Sequence, residues 1–340
     1  MSVQDKPTSF DIAALAGVSQ PTVSRALRGD RTVSEATRLR IEAIARQLNY
    51  TVDKNASSLR RGQSNTLALL FFEDPTPDDS LINPFFLSML GSITRTCALR
   101  GYDLLTSFQQ LSNDWHVDYE DSRKADGIIL LGYGDYEDYR ARLDQLARQG
   151  THFVRWGSVR AGQPETTIGC DNLRGGEDAG RHLLGLGRRR IAFLGEASSH
   201  YPEFEDRYRG LTAALAAEGI RPDPGLQVDA ITTEAAGHDA ALRLIGRGIP
   251  FDAIFAASDL IAIGAMRALE ESGLVVPNHV AVVGFDDLPA ASLAHPPLTT
   301  VAQDYRRAGE LLVDTLLARI RGETTETALL PPRLVVRGTT

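Results

Sequence analysis

Short apolar runs alternate with stretches of helical periodicity along the chain from Thr66 onward. The runs are brief and bounded by turn residues, which is typical of buried strands. Because strands and helices alternate, the pattern predicts parallel sheets joined by right-handed helical crossovers, and the fold class is therefore α/β. The predicted strands cover 67–72, 103–106, 127–131, 152–156, 190–194, 252–256 and 280–285. The predicted helices cover 85–100, 136–149, 172–186, 203–218, 234–246 and 259–272.

This alternating region is long enough to form two sheets. It runs from Thr66 to Thr340, and that length suits two lobes with a cleft between them. Ligands of open α/β sheets bind beyond the carboxyl ends of the strands. Candidate ligand-binding residues are therefore expected just after Phe72, Trp156, Leu194, Ala256 and Phe285.

The charge of the chain is unevenly distributed. Residues 1–62 hold ten Lys and Arg against six Asp and Glu, a net charge of +4, whereas the remainder carries −12. A basic head on an acidic body predicts that only the head meets a polyanion such as nucleic acid. A solvated charged surface would produce the same balance, so the local pattern of the head has to distinguish the two interpretations.

The basic head has the pattern of two short helices joined by a tight turn. Thr8 or Ser9 can cap the first helix, Gly17 lies where a helix ends with positive φ, and Ser19 can cap the second helix. A third packing helix follows, so the head is predicted to be a helix-turn-helix domain. The expected apolar positions are Phe10, Ala13 and Ala14 on the first helix, Val23, Ala26 and Leu27 on the second, and Ile41, Ile44, Ala45 and Leu48 on the third.

In a helix-turn-helix domain the second helix enters the major groove with its N-terminal side chains at the base edges. Arg25 can form a bidentate contact with guanine, and Gln20 can read adenine. Short hydroxyl side chains suit phosphate contacts, although Ser19 and Ser34 can equally be helix caps, and both roles can hold at once. The predicted DNA-binding residues of the head are Thr8, Ser19, Gln20, Thr22, Ser24, Arg25, Arg28 and Ser34.

The motif A-x-x-A-G-V-S-x-x-T-V-S-R-x-L, which spans Ala13 to Leu27, resembles the headpiece of the LacI/GalR family of transcriptional regulators. The resemblance continues along the chain and implies a DNA-binding headpiece at 1–52, a hinge helix and linker at 53–64, and a two-lobed effector-binding and dimerisation domain at 65–340. Segments similar to the family's effector domains are N-P-F-F at 83–86, R-G-Y-x-L-L at 100–105, D-G-I-I-L at 126–130, L-G-R-R-R-I-A-F-L-G at 186–195, D-R-Y-R-G at 206–210, V-V-G-F-D-D at 282–287 and H-P-P-L-T-T-V at 295–301.

The effector domains of this family have the fold of periplasmic sugar-binding proteins, in which the chain crosses between the lobes three times. The resemblance implies a first lobe of about 65–160 plus 302–324 and a second lobe of about 161–301 plus 325–340. The helix near 304–321 is therefore expected in the first lobe and the last strand in the second.

The segment 53–64 resembles the family's hinge helix. Two such helices pair in the minor groove, and a leucine from each opens a central base step. Leu59 matches that leucine and Ala56 matches the small residue where the helices meet, although ordinary linker packing is the alternative for Leu59. Val52 and Asp53 stand where the family usually has Pro and Asn, but Val52 can still be extended and Asp53 can still cap.

Two charged residues match the effector site of the family. Arg207 matches an arginine that makes forked bonds to ligand oxygens, with a surface ion pair to Glu203 or Glu205 as the alternative. Asp286, which follows an apolar strand, matches an aspartate that accepts from sugar hydroxyls or ring nitrogens. An arginine and a carboxylate suit a neutral polyhydroxylated ligand, because each hydroxyl both donates and accepts.

Further residues are carried over to the cleft from the resemblance. Ser258 stands where the family often has Asn, with Asp259 beside it as the expected N-cap of the next helix, and Gln303 matches a cleft-lining position. The aromatic candidates, which can stack on a sugar face or a base or else pack in the core, are Phe85, Phe86 and Trp156.

The sequence lacks the constellations typical of an enzyme. It has no Walker motif, no H-E-x-x-H motif and no nucleophile–base set, and Arg190 stands where a dinucleotide loop would need its third glycine. Its seven histidines lack metal-ligand spacing and it has only two cysteines, so neither a metal nor a cofactor is expected. The apolar runs are too short to span a bilayer, and no signal peptide precedes them, so a cytoplasmic protein is expected.

Together these features predict a homodimeric transcriptional regulator, with a repressor favoured, that binds double-stranded operator DNA. A small effector between the lobes is expected to control the operator affinity allosterically, and the resemblance favours a sugar. The alternatives are a cytoplasmic sugar-binding protein without DNA function and a purine-responsive regulator of the same family.

Overall fold

The computed structural model describes residues 7–27, 29–50, 63–74, 81–132, 134–160, 162–163 and 165–340. The chain divides into two compact units, 1–64 and 65–340, which we call the N-terminal and C-terminal units. Arg28, Ala56 and Leu59 lie outside the described residues, as do the hinge positions Val52 and Asp53. The hinge helix and its leucine therefore stay predictions.

Three helices make up the described part of the N-terminal unit: α1 (Ser9–Ala16), α2 (Gln20–Leu27) and α3 (Glu35–Gln47). They pack around Ile12, Val23 and Ile41, none of which exposes any surface, and the predicted stripe on α2 is the buried one. The predicted three-helix arrangement is confirmed.

The buried face of α1 differs from the predicted one. Phe10 is 70% exposed and Ala14 is exposed, whereas Ile12, Ala13 and Ala16 are buried. Positions 12, 13 and 16 lie on one side of a helix, so a residue two places before Ile12 projects from the opposite side. Hydrophobicity alone suggested Phe10, but the docking of α1 on α2 and α3 decided which side is buried.

The described strands of the C-terminal unit form two six-stranded sheets, each of which defines one lobe. The first sheet comprises β1 (Thr66–Phe71), β2 (Asp103–Phe108), β3 (Ile128–Leu131), β4 (Phe153–Trp156), β5 (Thr166–Cys170) and β11 (Ala328–Leu330). All its pairings are parallel, in the order β11-β5-β4-β3-β1-β2. The second sheet comprises β6 (Ile191–Leu194), β7 (Gln227–Val228), β8 (Ala253–Ala256), β9 (Ala281–Asp286), β10 (Thr299–Ala302) and β12 (Arg333–Val335). It has the order β12-β10-β9-β8-β6-β7 and is parallel except where β12 pairs with β10.

Helices cover the sheets, as parallel strands that are buried on both faces require. The helices of the first lobe are α4 (Pro84–Arg100), α5 (Tyr136–Gln149) and α11 (Tyr305–Ile320). Those of the second lobe are α6 (Asn172–Gly185), α7 (Pro202–Ala217), α8 (Glu234–Gly246), α9 (Asp259–Glu271) and α10 (Pro289–Leu293). Short 3-10 turns occur at Gln109–Leu111 and Pro224–Leu226, and a π-helical segment occurs at His116–Asp121. The predicted α/β fold with parallel sheets is confirmed.

The chain crosses between the lobes three times: after β5, after β10 and after β11. As expected, α11 packs on α4 in the first lobe, and β12 joins the second sheet. The predicted lobe boundaries at 160 and 325 differ from this pairing, because β5 and β11 both belong to the first sheet. β5 has two threonines and a glycine among its five residues, and β11 is a three-residue strand with an exposed position, so the apolar pattern did not reveal them.

Candidate ligand cleft and nucleic-acid interface

The turn between α1 and α2 has the geometry of a helix-turn-helix. Gly17 adopts the left-handed conformation, with φ +62°, and its turn lets the Val18 N–H donate to the Ala13 carbonyl at 3.1 Å. The Ser19 carbonyl accepts from the N–H groups of Thr22 and Val23 and so starts α2. A side chain other than glycine would be strained at position 17.

The surface of α2 opposite its buried stripe carries the predicted base-reading side chains. Arg25 is exposed, and Gln20, Thr22 and Ser24 are half-buried. Gln20 donates its amide N–H to the Ser9 hydroxyl at 3.1 Å, which ties the start of α2 to the start of α1. This contact orients the side chain that leads α2.

The predicted hydroxyl residues also have local structural partners. Thr8 and Asp11 form a reciprocal capping box, in which the Thr8 N–H donates to the Asp11 carboxylate at 2.7 Å. Ser34 accepts from the Thr37 N–H and caps α3, and the Ser19 and Thr22 hydroxyls lie 2.9 Å apart. The capping roles weighed for Thr8 and Ser34 are therefore present, on residues that stay at the surface.

Arg207 lies in the interior of the C-terminal unit, fully buried on α7. Its Nε donates to Asn172 Oδ1 at 2.9 Å and its Nη1 donates to the Ala257 carbonyl. The guanidinium carbon lies 3.7 Å from the ring centroid of Phe285, so the planar cation is stacked on an aromatic face. The alternative of a surface ion pair with Glu203 or Glu205 is wrong.

Asp286 is the carboxylate partner of this arginine at the end of β9. Its Oδ1 lies 4.0 Å from Arg207 Nη2 and accepts from the Gln303 amide at 2.7 Å. Its Oδ2 is buried and accepts no hydrogen bond from the described residues. Burial raises the pKa of Asp286 to about 6, and the charge of Arg207 and the bond from Gln303 oppose that rise.

Asn172 extends this cluster toward the first lobe. It is the first residue of α6, and its amide group donates to the Ser158 hydroxyl at 3.1 Å while its oxygen accepts from Arg207. The Ser158 N–H donates to Glu203 Oε1 at 2.7 Å. Hydrogen bonds therefore connect Glu203, Ser158, Asn172 and Arg207 in that order. The ion pair between Arg207 and Asp286 extends this path to Gln303. We call these six residues the polar network.

A second buried arginine lies on the first-lobe side of the network. Arg155, on β4, donates to Glu165 at 3.1 Å and to the Ser158 carbonyl at 2.9 Å, and its Nη1 lies 3.7 Å from Glu203. Its guanidinium also stands over the Tyr136 ring at 5.1 Å. Because Glu203 belongs to α7, Arg155 connects the two lobes.

Two further ion pairs bridge the lobes nearer the surface. Arg160 contacts Glu205 at 2.9 Å and Asp206 at 3.1 Å, and His200 lies 2.7 Å from Asp135. The hydrogen bond with Asp135 raises the pKa of His200. These pairs hold the lobes together in the conformation described.

The N-cap of α9 is Ser258, so the prediction that Asp259 caps this helix is wrong. Ser258 is the N-cap of α9 and accepts from the Ile261 N–H at 3.3 Å, whereas Asp259 is the first helical residue. Asp259 accepts from the Thr300 hydroxyl at 2.5 Å and from the Leu288 N–H at 2.7 Å, and so joins β10 to the segment after β9. Burial and the Asp286 carboxylate raise the pKa of Asp259 well above its usual value.

The three aromatic candidates lie together in the core of the C-terminal unit. Phe85 is in edge-to-face contact with Phe86 at 5.3 Å, and its ring centroid is 6.0 Å from that of Trp156. All three belong to the main hydrophobic core, which is the second of the roles weighed for them.

Sequence reasoning did not identify Asn172, Ser158, Arg155 or Glu203. Asn172 lies two residues after the end of β5, so recognising that strand would have marked it as a strand-end residue. Ser158 lies two residues after β4, where ligand-binding residues were expected, but it was not singled out. No local signal marked Arg155 or Glu203, because their partners are distant in the sequence. The described residues contain no group of three or more His, Cys, Asp or Glu placed to hold a metal ion. Among the described helices, none combines the length and the apolar character that a membrane span requires.

Comparison with known proteins supplies an independent assignment. Residues 10–53 match the model of the bacterial regulatory proteins of the lacI family, and residues 181–340 match that of the periplasmic binding protein-like domain. The chain is 31% identical over 336 residues to the ribose operon repressor of Escherichia coli strain K12, covering 97% of this chain and 99% of that protein.

Solved structures show the same architecture. The transcriptional regulator CelR in complex with cellobiose aligns with a TM-score of 0.72 at 32% identity, covering 98% of this chain and 100% of that one. The lac repressor dimer bound to operator and the anti-inducer ONPF aligns with a TM-score of 0.83 at 28% identity, covering 98% and 99%. On these matches along nearly its whole length, the chain belongs to the LacI family of bacterial regulatory proteins.

Proposed function

We propose that the protein is a homodimeric repressor that binds double-stranded operator DNA through its N-terminal unit and a sugar between the lobes of its C-terminal unit. Membership of the family makes the chain a DNA-binding transcriptional regulator rather than an enzyme. The effector, the dimer, the cytoplasmic location and the residues named below are the parts that we propose.

The polar network is the observation that supports a sugar as the effector. A buried arginine, two amide side chains and a carboxylate with an unused oxygen converge between α7 and the ends of β5, β9 and β10. Sugar hydroxyls each donate one hydrogen bond and accept two, so they complement such a mixture of donors and acceptors. The ribose named for one relative and the cellobiose bound by another agree with this chemistry.

We assign effector binding to Arg207, Asp286, Gln303 and Asn172. Ser258 has its hydroxyl engaged as a helix cap, and Phe85, Phe86 and Trp156 have each other as neighbours, so we give these four a supporting role. The mixture of donors and acceptors favours a sugar over a purine, and the Phe285 ring beside the polar network is already stacked on the Arg207 guanidinium.

On the DNA side, we assign base reading to Arg25 and Gln20 and backbone contacts to the hydroxyl residues of the headpiece. Two copies related by two-fold symmetry would read matched half-sites. Leu59 would open the central base step from the minor groove.

Effector binding would control the operator affinity by changing how the lobes close. Arg155, Arg160 and His200 join the lobes through ion pairs, so a ligand between the lobes competes with or completes these contacts. The control requires only that the effector bind more tightly to one of the two states.

The test is a thermal-shift screen of the purified protein against monosaccharides, disaccharides, sugar phosphates and nucleobases, followed by operator release. A ligand at 100 times its Kd raises the unfolding free energy by about 2.7 kcal/mol, which moves the midpoint measurably. We expect a sugar to raise the midpoint and to change the affinity for an operator obtained by binding-site selection. Asp286→Ala should lose both responses and keep operator binding; a nucleobase as sole hit, or a sugar with no effect on the operator complex, would contradict the proposal.

A further inference from the structure

A small pocket with an apolar wall lies beside the polar network. The wall is formed by Phe72, Leu130, Leu131, Tyr139 and Leu143 of the first lobe, and we call this space the apolar pocket. Arg155 and Glu203 form its polar side. Its volume is about 30 Å³.

Two glycines allow Phe72 to form this wall. A Cβ atom at Gly132 would lie 2.1 Å from the Phe72 Cβ, and one at Gly134 would lie 2.5 Å from the Phe72 ring. The ring therefore packs over bare backbone and meets the Tyr139 ring edge-to-face at 5.5 Å. The absence of side chains at Gly132 and Gly134 therefore leaves the space that the Phe72 ring occupies.

Two polar residues that line the pocket, Gln109 and Arg155, already have partners. The Gln109 amide donates to the carbonyls of Leu70 and Leu131, at 2.9 Å each. Arg155 is engaged by Glu165 and Ser158 and lies close to Glu203, so its positive charge is balanced by carboxylates. A phosphate or carboxylate in the pocket would face this acidic surplus, and a hydroxyl on the apolar wall would lose its hydrogen bonds to water.

The pocket and the polar network share one face of α7. Glu203 lines the pocket and Arg207 anchors the network, and residues four apart lie about 5–6 Å from each other on the same side of a helix. A single ligand can therefore contact both regions, with hydroxyl groups toward Arg207 and an apolar group toward Phe72.

We infer that the effector is a polyhydroxylated ring that carries an uncharged apolar substituent, and that the apolar pocket receives this substituent. The inference rests on the proposed function, since it assumes that a sugar-like ligand binds between the lobes. A volume of about 30 Å³ holds about two water molecules and fits a methyl group, whereas a benzene ring occupies an engineered cavity of about 150 Å³. The methyl group of a 6-deoxyhexose is the substituent that fits the pocket as it stands.

Titration calorimetry on the full chain with matched sugars tests the inference. The probes are L-rhamnose with L-mannose, L-fucose with L-galactose, D-fucose with D-galactose, and phenyl β-D-glucoside with D-glucose. We expect the deoxy member of one pair to bind at least tenfold more tightly than its parent, within the roughly 10–200-fold range that one methyl-sized group supplies. Preference for the phenyl glucoside alone would contradict the assignment, because a phenyl ring exceeds the volume of the apolar pocket.

Parent hexoses that bind as tightly as their deoxy partners in every pair would overturn the inference and leave the proposed function standing. Absence of binding by every sugar, together with binding of a nucleobase, would overturn both. The variant Phe72→Ser adds a hydroxyl to the wall, so we expect the preference for the deoxy sugar to fall about tenfold. Phe108→Ser changes a half-buried phenylalanine at the end of β2 that does not line the pocket, so the preference should stay unchanged. An equal fall in both variants would contradict the role of Phe72.

Discussion

Asp286 illustrates how much of the ligand cleft depends on single residues. It and its neighbour Asp287 both adopt positive φ, 116° and 57°, which costs of order 1–3 kcal/mol for residues other than glycine. Contacts on both sides oppose this cost, since Asp286 meets Arg207 and Gln303 while Asp287 pairs with Arg337 at 2.6 Å. Strain of this kind is maintained where the surroundings hold a side chain in one position, and here that position faces the buried arginine.

The raised pKa of Asp286 predicts a pH dependence of stability. Its carboxyl titrates near pH 6 when folded and near pH 3.9 when unfolded, so between about pH 4 and 6 the folded state holds a proton that the unfolded chain has lost. The free energy of unfolding should therefore fall as the pH rises through this window. Asp286→Asn should lose part of this fall in urea titrations from pH 4 to 7, while Asp287→Asn, at the half-exposed neighbour, should keep it. A variant profile parallel to that of the wild type would show that Asp286 ionises normally.

Replacement of Arg25 is expected to reduce the sequence specificity of DNA binding. It is exposed on α2, where its guanidinium is available to a guanine edge, so Arg25→Ala should weaken binding to a selected operator by about 1–3 kcal/mol. Fluorescence anisotropy on the operator and on scrambled DNA would measure the difference. Arg40→Ala removes an equal charge from the exposed surface of α3 and should weaken both DNAs alike. Equal losses on both DNAs for Arg25→Ala would reject its role in base reading.

At the scale of helices and strands, the contact between α6 and α7 positions the polar network. A Cβ atom at Gly176 would lie 2.0 Å from the Arg207 carbonyl, and one at Gly210 would lie 2.0 Å from the Leu173 carbonyl. The backbones of the two helices therefore touch, which brings Arg207 of α7 within hydrogen-bonding distance of Asn172 at the start of α6. Larger residues at these points would separate the arginine from its partner.

Gly210→Ala is expected to destabilise the protein, although alanine is the better helix former by about 1 kcal/mol. The added methyl group meets rigid backbone, and overpacking of this kind costs about 1–3 kcal/mol or more. Gly185→Ala, at the end of α6 with open space around it, should be neutral or slightly stabilising. Thermal unfolding of both variants measures the contrast, and a Gly210→Ala protein as stable as the wild type would show that the helices can move apart.

At the scale of the whole molecule, the chain separates into units with different chemistry. The N-terminal unit has its own core around Ile12, Val23 and Ile41, and the C-terminal unit has its own two sheets. Its excess of negative charge makes the C-terminal unit a poor ligand for DNA, so nucleic-acid binding depends on the smaller, basic unit.

A fragment of residues 65–340 should therefore fold and keep the effector-induced thermal shift of the full chain. It should have no measurable affinity for the operator, because the base-reading helix is absent. Differential scanning calorimetry with and without the identified sugar, together with an anisotropy titration, measures both properties. A fragment that unfolds at a clearly lower temperature, or that ignores the sugar, would show that the N-terminal unit supports the cleft.

The sequence by itself determined the features that depend on local pattern. Apolar periodicity and capping residues are local, so they were sufficient to locate the three headpiece helices, the Gly17 turn and most strands of both sheets. The position of Asp286 at the edge of a sheet also followed from local pattern, because strand ends can be read from the chain. Arg207 lies on a helix, and only the resemblance placed it in the cleft. The resemblance to a family added the roles of these residues.

Only the tertiary structure decided which distant groups meet. The strands β5 and β11 are stabilised by pairing with each other rather than by a strong apolar run, so the lobe boundaries emerged only from the sheet order. The exposure of Phe10 depends on how α1 docks, and the bond from Ser158 to Glu203 joins residues 45 positions apart. Such contacts depend on the packing of whole elements, because no residue pattern along the chain records which side chain will be opposite another after folding.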